Sequence, residues 1–383
     1  MIIHWGSKTG ELENSAGFQL LLNDSGSGAV NTTPQKSGGV GTPTFTRATA
    51  AAARLSTGLW KLDVASGTAR SHYHEFTAGT MIYGGYLAEP AATQILTAPR
   101  DMTNGAWVAS NITVALTGTG MDGVVNSCSR LTCTSNGGSV LQTITAAASS
   151  RTYGLWIKRV TGTGTITIQQ TGTTSDVTAS INSTTFTQVQ LNASILNVVI
   201  GVVMGTSGDV ILVDCNQFEA GAVATTPIPA AGTRNADVLS YVLAGNGDVT
   251  VGSTYAELTS LINGSAPSNL SAIVVGGRAP FIASAAALTT IATFDGANTA
   301  TKSGITSLAT GVRKRACSWG AGGLVVTGDG ATVATATFDG DMGAAAVIGI
   351  GNTSGVEQWT GTIKNVRIWL TQLTDAQIQY LTT

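Results

Sequence analysis

Charged side chains are scarce in this chain. They make up 10% of its 383 residues, with 19 Lys and Arg against 21 Asp and Glu, whereas an ordinary soluble domain carries about 25%. A nucleic-acid-binding protein needs a basic face that releases counterions from phosphates, so this composition excludes that class. No apolar run reaches the roughly 18 residues that span a bilayer, and the first residues lack the basic-then-apolar layout of a secretory signal. We therefore expect no nucleic acid, no membrane insertion and no export signal.

Residues that bind metals through sulfur or imidazole are also few, with four Cys and three His. Cys128 and Cys133 lie five apart in one predicted strand and face opposite sides, so the spacing predicts neither a disulfide nor a shared metal. His72 and His74 share a strand face, but the neighbouring Glu75 points the other way and cannot complete a ligand set. We predict no metal site from these residues.

Signatures of catalysis are missing as well. Glycoside hydrolysis needs two carboxylates that face the scissile bond. The candidates are Asp295, Asp329, Asp339 and Asp341. Most of them precede glycine in an Asp-Gly turn, and the preference of such turns for aspartate explains their presence without a catalytic role. The sequence has no G-x-S-x-G elbow and no phosphate-binding loop that ends in Lys-Ser or Lys-Thr. We predict that the protein is not an enzyme, has no catalytic residue and uses no cofactor. The sequence also allows a calcium site formed by Asp339 and Asp341, and such an ion would have a structural role.

Glycine and apolar residues are abundant, and together they indicate strands. The chain has 48 Gly and is 43% hydrophobic, and short stretches of period-2 alternation recur between clusters of turn residues. Short, regularly spaced strands predict antiparallel β-sandwiches. We predict an all-β chain with an irregular N-terminal section (1–100), a jelly-roll sandwich (101–237) and a second sandwich (238–383), with a linker at 225–237.

One short helix is predicted at the C-terminal end, at 373–382. Thr374 or Asp375 caps it, and Ile378 and Leu381 face the body of the protein. The stretch STYAELTSLI also carries a capping-box pattern, but the β pattern on both sides of it favours a strand.

Three successive segments resemble known families. The first resembles a segment common in bacteriophage virion proteins, which runs from an F-T-R-A-T opening through a Gly-hydrophobic turn to a G-x-L-x-E-P close. The second, with NGAWVAS, YGLWIKRV and QFEAGAVATTPIPA, resembles a carbohydrate-binding-module-like jelly roll. The third ends in GTIKNVRIWLTQLTDAQIQYLTT, like a concanavalin A/laminin G-like sandwich. The matching positions of the first segment are Phe45, Thr46, Arg47, Ala48, Thr49, Gly58, Leu59, Arg70, Gly85, Leu87, Glu89 and Pro90.

The resemblance implies that the protein attaches a virion to its host and binds a ligand on the host surface. The catalytic carboxylates of glucanase relatives have no counterpart here, so hydrolysis is not implied. We expect a virion fibre or spike protein, assembled in the host cytoplasm, that binds bacterial surface polysaccharide as a multivalent adhesin. Its N-terminal section is then the anchor or oligomerisation piece, and its partners are other virion proteins and further copies of itself, as a homo-oligomer such as a trimer. The alternative is a decoration or cement protein that binds no glycan.

The stretch RTYGLWIKRV supplies the candidate ligand-binding residues. Tyr153, Leu155 and Ile157 share one strand face and form a core set, whereas Trp156 lies on the opposite face with Gly154 and Lys158. An indole beside glycine and a cation suits a sugar ring, because sugar C–H faces stack on aromatic rings. We assign Trp156, Lys158 and Tyr153 as the ligand-binding set. The alternative for Trp156 is packing under a loop or against a neighbouring domain.

Overall fold

The fold was taken from a computed structural model, which describes residues 18–20, 36–38, 40–71, 73–77, 80–145, 147, 149–195, 198–260, 270–283, 289–307, 311–351 and 358–383. These residues form thirty strands, paired antiparallel, and one short helix. The predicted all-β fold with tandem antiparallel sandwiches and a short C-terminal helix is confirmed. No helix in the described ranges has the length and apolar character needed to cross a membrane.

The first section holds eight short strands. They are β1 (Phe18–Leu20), β2 (Lys36–Gly38), β3 (Thr44–Thr46), β4 (Ala51–Arg54), β5 (Trp60–Val64), β6 (Tyr73–Thr77), β7 (Thr80–Ala88) and β8 (Ala92–Gln94). Most have no extended period-2 pattern of large apolar residues, which explains why the sequence indicated an irregular segment.

The second section forms a two-sheet sandwich, called here the central sandwich. Its strands are β9 (Trp107–Ser110), β10 (Ile112–Gly118), β11 (Cys128–Cys133), β12 (Gly138–Ile144), β13 (Ser149–Thr161), β14 (Ile166–Gln170), β15 (Thr173–Asp176), β16 (Thr187–Ile195), β17 (Val198–Met204) and β18 (Val210–Ala220). One sheet has the order β10-β11-β18-β13-β16 and the other β15-β14-β17-β12-β9. Alternate residues such as Tyr153, Leu155 and Ile157 fill the core between the sheets, as the alternation predicted.

The third section supplies the remaining elements. They are β19 (Gly232–Arg234), β20 (Val238–Val242), β21 (Gly252–Ser260), β22 (Leu270–Val275), β23 (Arg278–Ala283), β24 (Ile291–Phe294), β25 (Thr299–Lys302), β26 (Arg313–Trp319), β27 (Leu324–Gly328), β28 (Ala334–Ala336), β29 (Val347–Ile350), β30 (Gly361–Trp369) and α1 (Asp375–Leu381). The strand favoured for STYAELTSLI is β21, which lies between β26 and β30 with nearly every residue buried.

The C-terminal sandwich also includes strands from the first section. One of its sheets runs β2-β1-β30-β21-β26-β27-β28, with β7 on β30 and β6 on β7, and the other runs β25-β24-β23-β22-β29-β20-β3. Tyr86 and Ala88 of β7 are fully buried in its core. A Cβ on Gly85 would lie 2.6 Å from the carbonyl oxygen of Ile363, so only glycine allows β7 to approach β30 this closely. Strands β1, β2, β3, β6 and β7 of the first section therefore belong to the C-terminal sandwich, whereas β4 with β5, and β8 with β19, form two-stranded sheets of their own.

The segment 225–237 is ordered structure and not a free linker. β19 pairs with β8 of the first section, and Thr226, Arg234 and Asp237 are almost fully buried. The sequence suggested a linker because two prolines interrupt the alternation there. Its polar side chains are instead paired inside the protein, as described below.

The helix α1 begins as predicted. Thr374 is the N-cap, and its hydroxyl accepts from the backbone N–H of Gln377, whose side chain accepts from the N-cap backbone in return. Ile378 and Leu381 pack with Tyr255 and Trp369 on the outer face of the nine-stranded sheet. The helix thereby covers an apolar face that would otherwise be solvated.

Candidate functional site

Tyr153 lies in the core of the central sandwich. Its side chain is fully buried, and its hydroxyl donates to Oδ1 of Asn216 at 2.8 Å. Burial raises the pKa of the hydroxyl well above its ordinary value. A ligand cannot reach this ring while the sandwich is folded, so we correct the assignment and remove Tyr153 from the binding set.

Trp156 is packed against the first section and is only 6% exposed. Its ring meets that of Trp60 edge to face, with centroids 5.1 Å apart. The guanidinium of Arg54 lies 5.5 Å from the Trp156 ring and 5.6 Å from the Trp60 ring, within range of cation–π attraction. The hairpin β4–β5 supplies both partners and covers this face of β13. Trp156 is therefore no open sugar platform, and packing is the alternative that the structure supports.

Lys158 is the member of the predicted set that reaches a cleft. It is partly buried two residues beyond Trp156 on the same face of β13, and its ammonium lies 5.5 Å from the centre of the Phe186 ring. The cleft has a volume of about 330 Å³ and separates the tip of the hairpin β4–β5 from the central sandwich. Its lining consists of Arg54, Thr57, Gly58, Leu59, Trp60, Met81, Thr119, Gly120, Met121, Gly123, Lys158, Thr184, Thr185 and Phe186.

The two sides of the cleft are held together by backbone and apolar contacts. The N–H of Trp60 donates to the carbonyl of Met121 at 3.0 Å. Leu59 lies so close to Gly123 that an added Cβ there would approach its Cδ1 to 3.1 Å. Asp214 holds the loop that contains Met121, because its carboxylate accepts a hydrogen bond from the N–H of Met121 at 2.9 Å. The cleft is thus a preformed feature of the interface between the first section and the central sandwich.

The chemistry of the cleft combines rings, hydroxyls and cations. The partly buried Phe186 supplies aromatic surface, whereas Trp60 lines the wall but is only 4% exposed. Four exposed threonines supply hydroxyl groups. The hydroxyls of Thr184 and Thr185 donate to Oδ1 of Asn182, so they keep lone pairs with which to accept from a ligand. Aromatic faces beside polar groups are what a saccharide requires, because it is apolar on its C–H faces and polar at its rim.

Sequence reasoning missed most of these residues. Arg54 and Phe186 carry no local pattern that assigns them to a site, since they meet only when the hairpin β4–β5 docks on the central sandwich. Leu59 was visible as part of the Gly-hydrophobic turn of the virion-like segment, and that turn forms the rim of the cleft. At Gly58 the backbone has φ +85°, which glycine adopts without strain.

Three charged residues of the virion-like segment meet two from the segment before β20 in one buried cluster, called here the junction network. It consists of Arg47, Arg70, Glu89, Arg234 and Asp237. Arg47 pairs with Asp237 at 2.7 Å, Arg70 bridges Asp237 and Glu89, and Arg234 contacts Glu89 at 2.7 Å. All five side chains are at most 1% exposed. Loss of Asp237 would leave the buried Arg47 without its carboxylate partner, and loss of Glu89 would do the same to Arg234. The network therefore specifies how the first section joins the segment before β20.

Glu89 of the junction network and the neighbouring Glu219 have opposite pKa shifts. Burial alone would raise the pKa of Glu89, but Arg234, Arg70 and the hydrogen bonds from Thr226 outweigh it and lower the pKa to about 2. Burial dominates at Glu219, whose pKa is raised to about 7 against the opposing effects of Arg234 and Thr225. Thr226 donates to Glu89, and Thr225 donates to Glu219, so hydrogen bonds within the chain hold both carboxyl groups.

The Asp-Gly turns, and the run of three basic residues at 313–315, have structural partners within the chain. Asp295 accepts from the backbone N–H groups of Ala297, Asn298 and Asp339, and these bonds lower its pKa despite partial burial. Arg315 is fully buried and pairs with Asp329 at 2.7 Å. No cluster of three or more His, Cys, Asp or Glu suited to a metal occurs within the described ranges. His72 lies outside those ranges, and the calcium site at Asp339 and Asp341 stays untested.

A second, more open groove lies on the C-terminal sandwich. It has a volume of about 770 Å³ and is lined by Phe338 together with glycines, alanines and threonines. None of its described lining residues is charged. The cleft also places Arg54 and Lys158 beside its partly buried ring, so we treat the groove as the weaker candidate.

Comparison with known proteins does not assign a family. No protein-family model and no curated protein matches the chain. Among solved structures, the chain is similar to the N-terminal CBM22-1-CBM22-2 tandem domain of Xyn10C from Paenibacillus barcinonensis. The two are 9% identical, the match covers 74% of this chain and 99% of that chain, and the TM-score is 0.27. The assignment of an all-β fold rests on the sheets of this protein and not on that similarity.

Proposed function

We propose that this protein is a bacteriophage fibre or spike protein that binds host surface glycan at the cleft between the hairpin β4–β5 and the central sandwich. The observation that carries the proposal is the cleft itself, which places aromatic rings, hydroxyl groups and a lysine around a preformed volume of about 330 Å³. The virion assignment rests on the order of the three sequence segments. The cleft holds no pair of opposed carboxylates, because no Asp or Glu is among its described lining residues, so the proposed role is binding without hydrolysis.

Attachment to a cell surface through a small site requires several copies. A single cleft of this size offers modest affinity, and multivalent display multiplies attachment without new contacts. We therefore propose that the chain acts as a homo-oligomer, such as a trimer, together with other virion proteins and after assembly in the host cytoplasm. Light scattering should give a mass of several chains. A stable monomer present in single copy on the particle would contradict this part of the proposal.

The glycan-binding role is tested with two matched phenylalanines. Phe186 lines the cleft and Phe338 lines the second groove, and both are partly buried. We expect Phe186→Ala to reduce binding of the purified protein to immobilised host polysaccharide at least tenfold, and Phe338→Ala to leave it unchanged. The unfolding midpoint of each variant shows whether a loss of binding merely follows a loss of structure. If Phe338→Ala lost binding and Phe186→Ala kept it, the binding site would be the groove on the C-terminal sandwich. Failure of the native protein to bind the polysaccharide would overturn the proposal.

One observation favours the second candidate, a decoration or cement protein that binds no glycan. Trp156 and Tyr153, the aromatic residues predicted for sugar stacking, are both buried. Under this alternative the cleft receives a side chain of a neighbouring virion protein. Labelled antibody imaging of the particle separates the two, since an attachment protein lies at a tip or fibre and a cement protein lies between capsid or tail subunits.

A further inference from the structure

We propose that the ligand of the cleft is an acidic saccharide whose carboxylate sits between Arg54 and Lys158. This inference rests on the proposed function and specifies the class of sugar. The observation that suggests it is the charge of the lining. Arg54 and Lys158 both line the cleft, and none of its described lining residues is Asp or Glu. In a chain with only 10% charged residues, two cations at one cleft form a local positive site.

Lys158 offers an available positive charge. Its ammonium contacts the Phe186 ring, and within the described residues no carboxylate lies within ion-pair distance of it. The neighbouring Arg159, by contrast, pairs with Asp209 at 3.3 Å. A ligand carboxylate at Lys158 would therefore gain a charge-assisted hydrogen bond without displacing an internal partner.

Arg54 is held in place before any ligand arrives. Its guanidinium is stacked over the rings of Trp60 and Trp156, so a planar donor group is already oriented at the wall of the cleft. Burial lowers the pKa of Arg54, which reflects the cost of keeping this cation away from water. A ligand carboxylate at this wall would therefore meet a cation whose orientation the two rings already fix.

The remaining walls favour a saccharide over a simple anion. Phe186 and Leu59 provide apolar contact, and the hydroxyl of Thr57 accepts from the N–H of Leu59 while it keeps a proton to donate. A volume of about 330 Å³ is at the lower end of the range for small-molecule pockets, ~300–1,000 Å³. The cleft thus suits a short acidic segment of a polysaccharide, such as a hexuronate with one neighbouring sugar. Two cations are too few for a nucleic-acid groove.

The experiment compares acidic oligosaccharides with their own carboxyl-reduced forms. The full chain is titrated calorimetrically with a panel of galacturonate, glucuronate and sialic acid oligosaccharides, each in native and reduced form, and with inorganic phosphate. We expect at least one native acidic form to bind, its reduced form to bind at least tenfold more weakly, and affinity to fall as salt is raised. Phosphate alone should bind far more weakly, because it makes no contact with the rings.

Three lysine variants locate the charge. Lys158→Gln should weaken binding of the acidic form by about tenfold or more and bring it to the level of the reduced form, while Lys158→Arg should retain it. Lys61→Gln is the matched control, since Lys61 is exposed on β5 beside Asp63 and does not line the cleft. Unfolding midpoints of all three should match the native protein.

The outcomes distinguish this inference from the proposed function. If reduced and acidic forms bind equally, or if Lys158→Gln binds like the native protein, the acidic-ligand inference is overturned. Should Phe186→Ala still abolish binding in that case, the glycan-binding role stands. If no saccharide in either form binds, both are overturned.

Discussion

At the scale of single residues, the position of Trp156 shows how neighbouring elements decide what a side chain does. The indole is 6% exposed and contacts Trp60 and Arg54. A large aromatic truncation at such a site leaves a cavity that the surrounding structure cannot fill. We expect Trp156→Ala to lower the free energy of unfolding by roughly 3–5 kcal/mol, measured by urea denaturation.

Leu370 provides the control for this substitution. It is a large apolar residue with 45% exposure, and Leu370→Ala should change the free energy of unfolding by no more than about 0.5 kcal/mol. If Trp156→Ala were as stable as Leu370→Ala, the indole would not be packed as the structure shows.

Glu219 gives the protein a pH-dependent stability of defined sign. Its pKa in the folded protein is about 7, against an ordinary value of 4.5 for this carboxyl group. Between these pH values, the carboxyl group loses its proton in the unfolded chain but keeps it in the folded protein. Stability therefore falls as pH rises from about 4.5 to about 7, by on the order of 3 kcal/mol. Glu219→Gln should remove most of this decline, since a neutral amide occupies the same site. The measurement is urea denaturation at pH 5 and pH 8.

Glu89 and Asp63 serve as comparisons for the pH dependence that Glu219 causes. Glu89, with a pKa of about 2, contributes stability that is present above about pH 4.5 and lost as the pH falls towards 2, so it acts in a separate window. The exposed Asp63 is the control, and Asp63→Asn should keep the native decline between pH 5 and pH 8. An equal decline in Glu219→Gln would show that other groups cause it.

At the scale of elements, the helix α1 depends on its capping box. Thr374 accepts from the backbone N–H of Gln377, and such caps contribute about 1 kcal/mol. We expect Thr374→Ala to lower the free energy of unfolding by about that amount. Thr371→Ala, at an exposed threonine before the helix, should have little effect. A matching loss in both variants would argue that the hydroxyl cap contributes nothing.

At the scale of the whole molecule, the two sandwiches should differ in their independence. The core of the central sandwich is drawn from residues between Leu96 and Phe218, so a fragment of residues 95–221 contains all of it. The core of the C-terminal sandwich includes Tyr86 and Ala88, and β20 pairs with β3 and β30 with β7. A fragment of residues 238–383 keeps β20 and β30 but lacks their partner strands β3 and β7.

We therefore expect the 95–221 fragment to unfold cooperatively in urea and the 238–383 fragment to lack a cooperative transition. Circular dichroism of each fragment checks that the folded one shows β structure with little helix. Cooperative unfolding of 238–383 alone would mean that the first section is an accessory to that sandwich and not part of it. A full chain with helix content above about a quarter would contradict the fold itself.

The amino-acid sequence by itself determined the local structure of this protein. Alternation identified strands of the two sandwiches and the core face of β13, and the cap at Thr374 identified α1, because side-chain period and capping are properties of a few adjacent residues. Alternation did not identify the strands of the first section. Only the tertiary structure decided what covers each face. Trp156 lies under a hairpin almost a hundred residues earlier in the chain, Asp237 pairs with Arg47 and Arg70, and Lys158 is the one predicted ligand residue that lines the cleft. A period-2 pattern shows which side chains share a face, but the partner of that face is chosen by long-range pairing and burial, which no local pattern records.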